Sequence, residues 1–220
     1  MSITVQAKIC GINSVAALDA AIGNNAAFVG FVFYPPSPRS LEPEEAAKLA
    51  ARVPATVRRV GLIVDEGDER IGAILAACKL DMLQLHGTEP PDRTAYIRAE
   101  FGLPVMKAIS IAAEGDAGLA RPYESVADWL LFDAKPPKRK AGEPTPLPGG
   151  NARPFDWTLL SGHRWSLPWM LSGGLHAGNV REAVRIAGAD TVDVSSGVED
   201  KPGRKSPAKI REFLETVAAI

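Results

Sequence analysis

Val5-Gln6-Ala7-Lys8-Ile9-Cys10-Gly11 sets a pattern that the rest of the chain repeats: a short β-rich run with polar groups at its end, where the chain turns. Side chains alternate across a strand, so Val5, Ala7 and Ile9 face one way and Gln6, Lys8 and Cys10 the other. The first face is apolar. The second sets an ammonium beside a thiol, and a nearby cation favours thiolate, lowering the cysteine pKa from about 8.5. This strand is therefore expected to aim an activated sulfur into a pocket. By themselves the same residues also describe a small buried cysteine beside a solvated lysine, and the rest of the chain has to decide.

Working outward, β-rich runs alternate with Ala-rich helical segments. Strands are expected at Val5–Cys10, Ala27–Phe33, Val57–Val64, Asp81–Leu85, Pro104–Ile109, Trp129–Asp133, Trp169–Ser172 and Thr191–Ser195. Between them, Ser14 is placed to cap a helix closed by Gly23-Asn24, and Asp68 to cap one running to Cys78. Pro90-Pro91 opens a helix that Gly102 ends. Leu119–Ser125 is a weak helix, Phe155–Ser161 a short one, and Ala208–Ala219 the last helix. Strands alternating with helices pair in parallel. Eight such units in 220 residues predict a single-domain (β/α)8 TIM barrel spanning residues 1–220. The alternative is an open doubly wound sheet. It uses fewer strands and often carries G-x-G-x-x-G after strand one, where this chain has Gly11-Ile12-Asn13. The one break in composition is Lys135–Pro154, rich in Pro, Gly and Lys. It reads as a solvated loop or as a lid that closes over substrate.

Bulk properties narrow the function. Hydrophobic residues make up 46% of the chain, and the net charge of −1 gives no broad attraction to nucleic acid or to an acidic membrane. No run approaches the roughly 20 apolar residues that span a bilayer. The first residues lack a signal-peptide pattern, and only Cys10 and Cys78 are cysteines, so a cytoplasmic protein with reduced thiols is expected. His86, His163 and His176 are not spaced as metal ligands and no C-x-x-C occurs, so no metal is expected.

Active sites of (β/α)8 barrels lie at the C-terminal ends of the strands. Here those ends carry Lys8 and Cys10, Gln84 and His86, Asp133, Ser172 and Asp193, and the second strand runs into a proline-rich turn that presents Arg39. A guanidinium held in that way suits a carboxylate; the alternative is a surface arginine on a rigid loop. A carboxyl ending the apolar run before Asp133 suits a general acid, or else a cap or an ion pair with Lys107 or Lys135. Ser172-Gly173-Gly174 and Ser195-Ser196-Gly197 follow strands seven and eight, the usual phosphate site of this architecture, and Gly149-Gly150 offers further N–H donors. A small phosphorylated molecule is the expected ligand.

Together these motifs resemble the phosphoribosylanthranilate isomerase family. Lys8-Ile9-Cys10-Gly11, Gly30-Phe31-Val32-Phe33 with Ser37-Pro38-Arg39, and Gln84-Leu85-His86-Gly87 with Glu89 carry the likeness. So do Leu131-Phe132-Asp133, Ser172-Gly173-Gly174-Leu175 and Asp193 through Glu199 with Pro202-Gly203 and Lys205. The resemblance implies an Amadori rearrangement of N-(5-phosphoribosyl)anthranilate in tryptophan biosynthesis, without metal or redox cofactor. It further implies Cys10 as general base, Asp133 as general acid and Arg39 as holder of the anthranilate carboxylate. Ser172 stands where alanine is commoner, and Ser206 where an aspartate is expected, so the last helix is capped differently. The related histidine-pathway isomerase uses aspartates at both catalytic positions, which Cys10 argues against. A non-catalytic barrel that binds phosphorylated metabolites, and a redox role for Cys10, are the remaining alternatives. Monomer and homodimer are both compatible with the sequence.

Overall fold

The computed structural model describes residues 4–136, 147–150 and 154–220. Eight parallel strands close into one barrel in chain order. They are β1 (Gln6–Cys10), β2 (Phe28–Val32), β3 (Arg58–Ile63), β4 (Met82–Leu85), β5 (Val105–Ile111), β6 (Trp129–Ala134), β7 (Trp169–Leu171) and β8 (Thr191–Val194). Closure comes from β1 pairing with both β2 and β8, with Lys8 opposite Phe28 on one side and Asp193 on the other.

Helices α1 (Val15–Gly23), α2 (Pro43–Ala50), α3 (Asp68–Ala77), α4 (Pro91–Phe101), α5 (Val180–Ala187) and α6 (Pro207–Ala218) pack outside. Their ends follow from local chemistry. Ser14 Oγ accepts from the Ala17 N–H at the start of α1, and Gly102 closes α4 in the left-handed conformation. Asp68 is not the cap of α3: Gly67 holds that position, and Asp68 sits inside the first turn, where its carboxylate meets Arg93. Ser206 precedes α6 without a side-chain capping bond.

Two of the expected helices are only 3₁₀ turns, at Asp116–Tyr123 and Trp157–Leu160. Gly118 and Pro122 interrupt the first, since glycine weakens a helix and proline cannot donate within it. A small antiparallel hairpin of β9 (Glu199–Lys201) and β10 (Arg204–Lys205) after β8 was not expected from the sequence.

The apolar core is split by the barrel wall. Outward residues such as Val29, Phe31, Ile63, Leu83 and Phe132 pack against the helices. A separate inner cluster of Phe28, Val60, Met82, Met106, Leu131 and Met170 plugs the barrel. Above that plug the interior turns polar. Lys8 and Gln84 are completely buried there. Polar groups so enclosed need partners, and those partners build the site.

Candidate active site

Cys10 ends β1 and is buried. One pleat below it on the same face, Lys8 Nζ donates to Asp193 Oδ1 at 2.8 Å, across the direct β1–β8 register. Ser172 Oγ donates to the other oxygen, Asp193 Oδ2, at 3.1 Å. The hydroxyl at this position therefore has work as a partner of Asp193. Gly30 on β2 makes the space, because a Cβ there would stand 3.2 Å from both Cys10 Sγ and Lys8 Nζ. Burial would lower the Lys8 pKa, but the Asp193 carboxylate and the Cys10 sulfur outweigh it and leave it raised.

The expectation of a lowered thiol pKa is overturned. Burial pushes Cys10 up, and the cations Lys8 and Lys205 only partly oppose it, while Asp193 adds to the rise. A nearby cation stabilises a thiolate, but full desolvation costs more.

Asp133 ends β6. Its Oδ1 accepts from the Ala134 N–H at 2.8 Å, and its Oδ2 lies 3.2 Å from His86 Nε2. It pairs with neither Lys107 nor Lys135. Lys107 points out of the barrel to Glu89 at 2.6 Å. Behind His86, Gln84 Nε2 lies 2.7 Å from Nδ1, and Gln84 Oε1 is buried with no hydrogen-bond partner among the described residues. With the amide nitrogen donating to Nδ1, the ring proton sits on Nε2 and points at Asp133.

Arg39 is fixed by more than its prolines. Its Nε and Nη2 donate to the two oxygens of Glu199 at 2.7 and 2.8 Å. Lys205 Nζ donates to the same carboxylate at 2.8 Å. Burial alone would raise the Glu199 pKa, yet the two cations hold it below the usual carboxylate range. Burial lowers the Lys205 pKa, with Glu199 opposing. Glu199 and Lys205 stand in the motif that follows strand eight, where the sequence assigns them no role. Only the fold reveals their bond to Arg39, 160 residues away along the chain.

These groups meet in a cavity at the C-terminal end of the barrel, lined by Cys10, Arg39, His86, Asp133, Asp193 and Ser195 among others. A second cavity continues from it, lined also by Gly173, Gly174 and Ser196, and the two share Asp133, Gly150, Ser172, Asp193 and Ser195. Four residues expected to touch ligand are placed otherwise. Lys8 and Gln84 line neither cavity. They lie one pleat deeper, because period-2 alternation fixes the face of a residue and not its depth. Gly197 also lines neither; a Cβ on it would run into the Leu175 carbonyl, so this glycine allows close packing of the two loops. Gly149 lies against Asp133 Oδ2 and His86 Nε2, in the first cavity, and not in the glycine-serine pocket. The basic run at 138–140 and most of the expected lid fall outside the described residues.

Among the described residues no three His, Cys, Asp or Glu side chains gather as a metal-binding group. No described helix is long and apolar enough to cross a membrane. Fold and site together define a (β/α)8-barrel enzyme whose titrating side chains converge at the C-terminal ends of its strands.

A family model described as N-(5'phosphoribosyl)anthranilate (PRA) isomerase matches residues 7–216. The N-(5'-phosphoribosyl)anthranilate isomerase of Paramagnetospirillum magneticum is 54% identical over 211 residues, covering 96% of each chain. The crystal structure of phosphoribosyl anthranilate isomerase from Thermotoga maritima superposes with a TM-score of 0.86 at 34% identity, covering 98% of this chain and 100% of that one. A crystal structure of a phosphoribosyl anthranilate isomerase in complex with reduced 1-(o-carboxyphenylamino)-1-deoxyribulose 5-phosphate gives a TM-score of 0.81 at 33% identity, with the same coverage. The chain belongs to the N-(5'-phosphoribosyl)anthranilate isomerase family and is an isomerase of tryptophan biosynthesis.

Proposed function

We propose that this barrel converts N-(5'-phosphoribosyl)anthranilate to 1-(2-carboxyphenylamino)-1-deoxyribulose 5-phosphate with Asp133 as general acid and Cys10 as general base. The observation that carries the reading is the convergence of a thiol, a carboxyl and a guanidinium on one cavity that opens into a glycine-serine pocket. That pocket, with Gly173, Gly174, Ser195 and Ser196 on its wall, receives the phosphate through backbone N–H groups. Asp133, Gly150, Ser172, Asp193 and Ser195 line both cavities, and the ribose chain is proposed to cross there. Arg39 receives the anthranilate carboxylate.

The chemistry then divides between two strands. Asp133 gives its proton to the ribose ring oxygen as the bond from that oxygen to C1′ breaks. The anthranilate nitrogen lone pair forms the C1′=N bond, leaving an iminium-like Schiff base. Cys10, as thiolate, takes the proton from C2′, and the C2′–H electron pair becomes the double bond of an enolamine. Protonation at C1′ and loss of the 2′-hydroxyl proton give the ketone. The cationic intermediate adds a positive charge close to Cys10 at the step that needs thiolate. This offsets the burial that otherwise favours the thiol.

His86 and Gln84 serve the acid. Turning the Gln84 amide over places Oε1 against an Nδ1–H, and His86 Nε2 then accepts from a protonated Asp133. That is the arrangement in which Asp133 carries the proton it delivers. The chain 1–220 works as one barrel unit in the cytoplasm, without nucleic acid. All the named groups come from one chain, so it acts as a monomer or as a homodimer with a complete site in each copy.

The test is a fluorescence assay in which phosphoribosylanthranilate is generated in situ and its loss is followed. Each proton transfer is typically worth about 10²- to 10⁴-fold, so wild type consumes the substrate while Cys10→Ala and Asp133→Asn are slower by at least that order. Wild-type-like turnover in either folded variant removes that residue from its role. No turnover by folded wild type overturns the reading.

A further inference from the structure

Arg39 would be a poor carboxylate receptor if Glu199 were its only neighbour. Its Nε and Nη2 form a fork onto both Glu199 oxygens. Such a pair is geometrically strong but net neutral, and an incoming carboxylate would meet the Glu199 charge as well as that of Arg39. Lys205 changes the sum. Its Nζ donates to Glu199 Oε1 at 2.8 Å, to the Ser195 carbonyl at 2.8 Å and to Ser195 Oγ at 3.3 Å. Two cations and one anion leave one net positive charge in a cluster whose three members are all buried. Solvent and salt screen buried charges far less than exposed ones, so that excess is felt in the cavity that Arg39 lines.

The chain path fixes the cluster in place. Glu199 and Lys205 are paired directly across the β9–β10 hairpin. The turn of this hairpin is locked to two other loops. Gly203, with φ +79°, lies so close to the Pro38 carbonyl that a Cβ would collide with it, and the Asn13 amide donates to Gly203 O at 2.8 Å. The Gly203 N–H also reaches Glu199 Oε2 at 3.3 Å. From the other side, the Arg39 stem lies on Gly11, where a Cβ would stand 2.8 Å from Arg39 Cδ. The guanidinium therefore has little freedom to turn, and its Nη1 edge faces Gly150 at the junction of the two cavities.

Resting on the assignment of Arg39 to the anthranilate carboxylate, we infer that Glu199 and Lys205 are a positioning pair for Arg39. Glu199 sets the plane of the guanidinium, and Lys205 restores the positive charge that Glu199 removes, so this wall of the cavity selects ligands that carry a carboxylate.

The test compares two product analogues by equilibrium binding: reduced 1-(o-carboxyphenylamino)-1-deoxyribulose 5-phosphate and the matching phenylamino compound that lacks the carboxylate. Wild type prefers the first. In Lys205→Met that preference falls about tenfold or more, the scale of losing one charge from a buried cluster, while the affinity for the phenylamino compound falls much less. Lys205→Arg restores most of the preference. An unchanged preference in folded Lys205→Met, or an equal loss of both analogues, overturns the inference. Lys205→Gln is read in the same way should the methionine variant not fold. Arg39→Ala separates the two levels: if it keeps the preference, the carboxylate assignment itself fails. If Arg39→Ala loses the preference and Lys205→Met keeps it, only the role of Lys205 fails.

Discussion

Two of the buried lysine–carboxylate pairs, one inside the barrel and one outside it, are nearly identical in geometry and different in everything around them. Lys8–Asp193 spans 2.8 Å with side chains 0% and 4% exposed, and Lys107–Glu89 spans 2.6 Å at 3% and 2%. Lys8 points into the barrel. Its partner shares its second oxygen with Ser172 and lines the cavity beside Cys10. Lys107 points out from β5. Its partner Glu89 also gathers the backbone N–H groups of Asp65 and Gly87, while Lys107 reaches the Gly87 carbonyl. The outer pair fastens the loops after β3 and β4 to β5; the inner pair is the floor of the site. A buried ion pair by itself says little about stability or function. The groups that fill the remaining lone pairs tell which it serves.

The largest effects come from breaking either pair on one side. Asp193→Asn leaves a buried Lys8 without its anion, and Glu89→Gln does the same to Lys107. Each is expected to lower unfolding free energy by about 3–5 kcal/mol, read by denaturant titration. A loss below about 1 kcal/mol in either would show that solvent reaches that pair. Next is Gln84→Leu, which removes the partner of His86 Nδ1. With one hydrogen bond at stake, kcat falls on the order of tenfold with KM little changed; unchanged kcat removes Gln84 from the acid side of the site.

The smallest effect is titration at Cys78, buried against the outer core and far from the chemistry. Burial pushes its thiol up to about 11, with Arg59 opposing, from 9.0. A thiol whose pKa is raised by folding contributes stability that is fully present below the unfolded value and lost as pH rises through the folded one. The melting temperature is therefore expected to fall between pH 9 and about 11, and to fall less in Cys78→Ala. An equal fall in the variant assigns the alkaline loss to other groups, Cys10 among them.

The barrel was legible because eight apolar runs carry strand periodicity and turn signals, and Cys10, His86 and Asp133 were legible because polar residues at strand ends have no structural reason to gather. What escaped did so for physical reasons. The Arg39–Glu199 bond joins residues 160 apart, and no local pattern announces it. The β9–β10 hairpin has strands of three and two residues, too short to show alternation. Alternation along the strand gives the face of Lys8 and not its depth, while Gln84 lies behind His86, as its sequence reading favours. The Cys10 thiol departs from the sequence expectation because the nearby ammonium is visible in sequence and the desolvation is not.

The most direct test of the division between floor and fastening measures turnover of phosphoribosylanthranilate by Asp193→Asn and Glu89→Gln at a temperature where both remain folded. If the inner pair serves the chemistry and the outer pair only the fold, Asp193→Asn loses on the order of 10²-fold or more in kcat, and Glu89→Gln stays close to wild type. Equal losses in the two variants, or a wild-type kcat in Asp193→Asn, would contradict the account.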